Sequence, residues 1–183
     1  MPMEAPSDRD LILRARHGEA EAFGELVRIH QTSVFNVCYR MLGERREAED
    51  MAQEAFIRAY ERMHTFDVER PFGPWMRRVA ANVCLNHLSA QKPEAAELDD
   101  ERDAVNAPST EAGREVQEEA ERVRMALADL PSHYRMAVEL RHYQELSYEE
   151  IAAVMRIPLS DVKSHLFRAR KMLAEKLSHE PSH

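Results

Sequence analysis

Apolar side chains recur along this chain about every 100° of helical turn, and the elements they predict are all helices. Ser7 with Asp10 (S-D-R-D) makes a capping-box pattern, which predicts a short helix over about 8–16, broken by His17-Gly18. A longer helix over 19–42 aligns Ala22, Phe23, Leu26, Val27, His30, Val34, Val37, Cys38 and Met41 on one side, and Gly43 ends it. The next, Glu47 to Met63, gathers Met51, Ala52, Ala55, Phe56, Ala59 and Met63 on one face. A loop holding Phe66, Pro71, Phe72 and Gly73 leads to Pro74, a favourable helix start. The helix expected over 74–90 turns Met76, Val79, Ala80, Val83, Cys84 and Leu88 inward. Further helices are expected near 114–129, 132–143, 147–155 and 159–177, with Pro131 and Pro158 at two of the joins. No repeat at a fixed period is present.

Composition agrees. Only five of 183 residues are Gly, strand-like alternation is almost absent, and 44% are hydrophobic. The expectation is an all-α chain of two small helical domains joined by a flexible acidic linker. The charge is what marks the linker. Residues 92–121 hold eleven carboxylates against three basic residues, which accounts for the whole net charge of −8. The remainder carries 22 of each sign. With Pro93, Pro108 and Gly113 and no periodicity before about 114, this tract reads as a tether between a domain over 1–91 and another over 114–183, the linker itself covering 92–113. The longest purely apolar run, Ile151 to Met155, is far too short for membrane insertion. The N-terminus lacks the apolar segment of a secretory signal. Cys38 and Cys84, both within helical patterns, read as buried small hydrophobes in a reducing compartment. A cytoplasmic protein is expected.

Three faces are left over once the core stripes are assigned. Opposite its core side, the 47–63 helix presents Asp50, Gln53, Glu54 and Glu61, with Ile57 in their midst. A β-branched apolar side chain on an acidic face suits an anchor buried by a partner and ringed by polar groups. The 74–90 helix collects Trp75, Arg78, Asn82, Asn86 and Ser89 on another side, flanked by Arg77, and no carboxylate occurs from 71 to 92. Rings beside cations and amides suit unstacked bases, each stack contributing roughly 1–3 kcal/mol, and Asn can read a base edge. The third face belongs to LSYEEIAAVMRIPLSDVKSHLFRARKML (146–173), which has the grammar of a helix-turn-helix. Ser147 and Glu150 form a second capping box, and Arg156-Ile157-Pro158 makes the turn. Leu159, Val162, Leu166, Ala169 and Leu173 form the buried stripe of the second helix. Its other side carries Ser160, Ser164, Phe167, Arg168 and Lys171, flanked by Asp161 and Lys163, a cationic surface able to enter a major groove. Enzyme chemistry finds no support: there is no phosphate-cradling Gly loop, no H-E-x-x-H and no paired Cys motif. Cys84 and His87 read as a core pair and not as metal ligands. No catalytic residue, metal or cofactor is expected.

EAEDMAQEAFIRAY (47–60), PFGPWMRRVAANVCLNHL (71–88) and LADLPSHYRMAVELRHYQELSYEEIAAVMRIPLSDVKSHLFRARKML (127–173), in this order around an acidic linker, resemble the bacterial sigma-70 family in its extracytoplasmic-function group. The resemblance covers about 8–177. It implies a factor that binds core RNA polymerase, directs it to promoters and helps open the DNA. Asp50, Gln53, Glu54 and Ile57 would dock on the clamp helices of the polymerase's largest subunit. Phe72, Trp75, Arg77, Arg78, Asn82 and Asn86 would melt and read the promoter's −10 element. Ser160, Lys163, Ser164, His165, Arg168 and Lys171 would read the −35 element in duplex form. The linker would thread the active-site cleft, its carboxylates standing in for nucleic acid. Such proteins are often held by an anti-sigma factor, whose binding would cover both the Ile57 face and the 159–172 helix.

Two departures stand out. Ser89-Ala90-Gln91-Lys92 replaces the run of arginines usual after the second motif, and Ser160-Asp161 and His165 stand where Gly-Thr and Arg are common. The promoter sequence is therefore not carried over. SDVKSHL also resembles the recognition helix of LuxR-type regulators, the alternative reading. The Ile57 face and the Trp75 helix, neither needed by such a regulator, separate the two.

Overall fold

The computed structural model describes residues 5–91 and 111–178, and among these there are helices but no strand. Helix α1 (Asp8–Arg16) starts where expected: Ser7 Oγ accepts from the Asp10 amide at 3.2 Å, and the Ser7 amide donates back to the Asp10 carboxylate at 3.3 Å. Its Leu11, Ile12 and Ala15 are buried against α2 (Ala20–Leu42). Gly43 ends α2 in the left-handed region (φ 78°), its amide donating to Tyr39 O at 2.9 Å.

Helix α3 (Arg45–Arg62) begins two residues before the sequence pattern suggests. Glu44 is the cause, because its carboxylate accepts from the amides of Arg46 and Glu47 at 3.0 and 2.7 Å. Glutamate is not among the preferred N-caps, so the pattern gave no sign of it. Similarly, α4 (Phe72–Ala90) starts ahead of Pro74. The first four amides of a helix have no partner within it, so a proline in that first turn loses nothing. A short 3₁₀ turn (Met63–Thr65) follows α3. Arg16 donates to the carbonyls of Met63, at 2.9 Å, and Phe66, tying that turn to α1.

The second half consists of α5 (Glu111–Ala128), α6 (Ser132–Val138), α7 (Tyr148–Met155) and α8 (Leu159–Ser178). Of the expected linker, 92–110 lie outside the described residues, while 111–113 form the first turn of α5. The single helix expected over 132–143 divides: after α6 the chain widens into a π turn over Glu139–Tyr143. Ser147 and Glu150 complete the second capping box at 3.1 and 2.7 Å. Arg156, at φ 55°, closes α7 and turns the chain into α8.

Cys38 and Cys84 are both free and fully buried. Hydrogen bonding with Cys38, then burial, raises the Cys84 thiol well above its ordinary range, so it behaves as an apolar group. The two halves do not stand apart. Buried residues of α1–α4 and Met136, Leu140, Leu146, Ile151, Val162 and Leu166 form one continuous core, and Leu127, Leu130, Val138 and Ala169 make a smaller second one. No described helix is long and apolar enough to cross a membrane.

Candidate nucleic-acid interface

Helix α3 turns its acidic side to solvent. Asp50 and Gln53 are exposed, Glu54 is half-buried in an ion pair with Arg58 (2.8 Å), and Ile57 keeps 55% of its surface open. The patch is wider than sequence suggests. Tyr60, one turn on, is 49% exposed with its ring edge on Phe23, and Gln53 borders a groove of about 370 Å³ between α2 and α3 floored by Val27, Phe35 and Phe56. Tyr60 could have been noticed, since it lies three residues beyond Ile57.

On α4, Asn82 and Asn86 are exposed, while Trp75, Arg77 and Arg78 are half-buried. Phe72, expected among the base contacts, is only 2% exposed. It is enclosed by Phe66 (5.7 Å, perpendicular), His30 (5.1 Å) and Trp75 (5.5 Å). Starting the helix at Phe72 turns that ring into the core, so it supports Trp75 and cannot itself meet a base here. Trp75 leans on Phe66 at 4.7 Å and borders a groove of about 460 Å³ with Arg78, Asn82 and Asn86. Arg58 and Arg62 of α3 and Arg156, just past the end of α7, line it too. These three cations escaped the sequence reading because they come from other elements. A groove with an indole at its edge, amides on its wall and arginines around it can hold a flattened base and a phosphate.

On α8, Ser160, Lys163, Ser164, Arg168 and Lys171 are exposed as expected, above buried Val162, Leu166 and Ala169. Phe167 is 69% exposed, an apolar ring able to meet a thymine methyl. Arg168 Nη1 donates to the Tyr134 hydroxyl at 3.2 Å. His165 does not project with its neighbours. It is half-buried against the rings of His133 (4.9 Å) and Tyr134 (5.2 Å) of α6, its Nδ1 buried without a hydrogen-bond partner. Its place on the helix leaned it toward α6, and sequence did not show what α6 would put there.

Burial holds His165 below the ordinary imidazole value of 6.5, with Asp161 pulling up and Arg168 pushing down. Burial does the same to His142, reinforced by Arg170 and Arg141. As pH falls through about 6.5 the unfolded chain takes up these protons first, so stability is complete above that pH and declines below it. The thermal midpoint is therefore expected to be lower at about pH 5.5 than at about pH 7.5, and His165→Asn should shrink the difference. An unchanged difference would show that His165 ionises freely.

A helix-turn-helix with a cationic outer face, on the same chain as an aromatic and arginine-lined groove, defines a DNA-binding transcription factor. The family model "Sigma-70 region 2" matches residues 26–94, and "Sigma-70, region 4" matches 120–173. The chain is 33% identical to the ECF RNA polymerase sigma factor SigW of Bacillus subtilis (strain 168), over 91% of this chain and 94% of that protein. It is 33% identical to the ECF RNA polymerase sigma-E factor of Escherichia coli (strain K12), over 95% and 96%. Among solved structures it resembles CnrH in complex with the cytosolic domain of CnrY, at 25% identity and a TM-score of 0.62, covering 95% and 99% of the two chains. RpoE of Bartonella quintana in complex with the anti-sigma factor NepR shares the fold at 18% identity (TM-score 0.64, 88% and 100% covered). The chain belongs to the extracytoplasmic-function (ECF) sigma factors of the sigma-70 family. It is a promoter-specificity factor that works with RNA polymerase in transcription initiation, which decides against the LuxR-type alternative.

Proposed function

We propose that the chain divides its work among three faces. Asp50, Gln53, Glu54 and Ile57, extended by Tyr60, dock on the clamp helices of the polymerase's largest subunit. Trp75, Arg77, Arg78, Asn82 and Asn86 read the melted −10 strand, with Phe72 bracing the indole from behind. Ser160, Lys163, Ser164, Arg168 and Lys171, joined by Phe167, read the −35 duplex, and His165 fixes the tilt of α8 against α6. The working units are 1–91 and 114–183, with 92–113 as the acidic connection. The chain has no catalysis of its own and acts in the cytoplasm. A protein partner, an anti-sigma factor, belongs to the same reading.

The observation that carries it is the exposed Ile57 on an acidic helix whose Arg58 and Arg62 also line the Trp75 groove. A regulator acting alone has no use for that anchor. Each DNA face is small, and binding to polymerase makes the second contact intramolecular, which multiplies two weak readers through effective concentration. Transcription in vitro with core enzyme on a library of genomic fragments tests this. Discrete start sites that depend on the added chain are expected. Silence in that assay, with tight binding to a duplex operator by the chain alone, would overturn it.

A further inference from the structure

Helix α1 carries none of the three faces, yet two of its polar side chains lead to the aromatic edge of the Trp75 groove. Leu11, Ile12 and Ala15 seat the helix by burial, and the Ser7 capping box fixes its start. Asp8 and Arg16 flank that apolar stripe at its two ends, about 12 Å apart along the axis. Neither is needed to bury it. Arg16 places one guanidinium on two carbonyls, those of Met63 and Phe66, and so fixes the backbone on which the Phe66 ring is mounted.

Asp8 works through a second residue. Its carboxylate lies 2.8 Å from His30 Nε2, and because an ionised carboxylate only accepts, the contact assigns the proton to that nitrogen and fixes the ring. The His30 side chain is 13% exposed. Its ring meets Phe72 at a 64° tilt, centroids 5.1 Å apart. It also lies against the first turn of α4, where a Cβ on Gly73 would stand 3.4 Å from His30 Cε1. Glycine is a poor helix former; here it leaves room for the imidazole. Phe72 and Phe66 in turn hold Trp75, at 5.5 and 4.7 Å. One path from α1 thus runs through Asp8, His30 and Phe72 to the indole, and the other through Arg16 and Phe66.

A third α1 side chain offers a contrast. Arg9 pairs with Glu69 of the loop at 2.9 Å, but both side chains are mostly exposed, where an ion pair contributes little. A side chain that must meet a ligand in one geometry has to be held within about 0.5 Å of it by neighbours that are themselves locked. A misplacement of about 1 Å caused far from a site can cost up to a hundredfold. We propose that Asp8, His30 and Arg16 are positioning residues for promoter opening: through Phe72 and Phe66 they set the plane of the Trp75 ring that receives the unstacked base. The inference rests on the assignment of Trp75 to melted DNA. It makes α1 a working part of the −10 reader. The docking residues Asp50, Gln53, Glu54 and Ile57 share none of these contacts.

The chain has one tryptophan, so its fluorescence reports Trp75 alone. Asp8→Ala and Arg16→Ala should each slow opening by about three- to tenfold on a start site recovered from the genomic fragments, with association to core polymerase unchanged. Both should also make the indole easier to quench with acrylamide. Asp8→Asn keeps an acceptor for His30 Nε2, so opening and quenching should stay near wild type. Arg9→Ala should change neither. Ser7→Ala is the control for stability: it removes the cap of α1 and lowers the thermal midpoint, yet it should leave opening and quenching as they are. Should Arg16→Ala not fold, Arg16→Lys, which keeps the charge without the two-pronged geometry, should show the same changes to a smaller degree. Wild-type opening in folded Asp8→Ala and Arg16→Ala overturns the inference. So does equal slowing by Ser7→Ala, which would leave α1 a stabilising element only. Trp75→Ala in the same assay keeps the two readings apart. Normal opening there sinks the groove assignment itself, whereas slow opening there beside wild-type rates for both α1 variants sinks only the role of α1.

Discussion

Ile57→Glu is expected to abolish association with core polymerase while leaving the fold intact. Burying an isoleucine side chain contributes about 1.5–3 kcal/mol, and a central anchor of this type commonly reaches 2 kcal/mol or more on truncation alone. Glutamate does worse than truncation. It would carry a charge into a desolvated contact and add it to a face that already holds Asp50, Glu54 and Glu61. A loss of about 4 kcal/mol, or roughly a thousandfold in affinity, is the expectation. The free protein should not notice, since Ile57 is 55% exposed and glutamate suits a helix at least as well. Pull-down of core polymerase read beside a thermal melt separates the outcomes, and full retention of binding would remove α3 from the docking surface.

Trp75→Ala carries the second large effect, on promoter opening and not on the first encounter with polymerase. One base–indole stack contributes roughly 1–3 kcal/mol, and unstacking a promoter base costs a few kcal/mol. Its loss should slow opening by about tenfold to a hundredfold. Because Trp75 also packs on Phe66 and Phe72, the substitution has a structural side. Trp75→Phe keeps a stacking face and some of that packing, so it should recover much of the opening rate. Equal effects of Trp75→Ala on initial binding and on opening would make the indole a packing residue only.

Both expectations come from faces that were legible in the sequence. Helical periodicity separates a core stripe from what is left over, and an isoleucine or tryptophan among the left-over residues is conspicuous. Phe72 is buried, against expectation, for a related reason. Pro74 marks a helix start by its sequence signal, which places Phe72 in a loop where an aromatic looks available. Once Glu44 and Pro71 are seen to cap, α3 and α4 each lengthen by two residues, and Phe72 moves onto a buried face. His165 shows the opposite case. Its helical position was right, but its neighbours His133 and Tyr134 come from α6, and no spacing within α8 reports them.

The sequence by itself determined the helices, both capping boxes, the helix-turn-helix, and the polar faces that carry Ile57, Trp75 and Arg168. These follow from interactions a few residues long, caps at i to i+3 and stripes at 3.6 per turn, which composition and order express directly. The tertiary structure alone decided that the halves meet. Arg40 and Glu139 are 99 residues apart, and each by itself looks like any charged residue on a helix. Periodicity states which side of a helix is apolar and not which neighbour will cover it. Pairing across such a separation depends on how two finished surfaces fit, and only the folded chain holds that information.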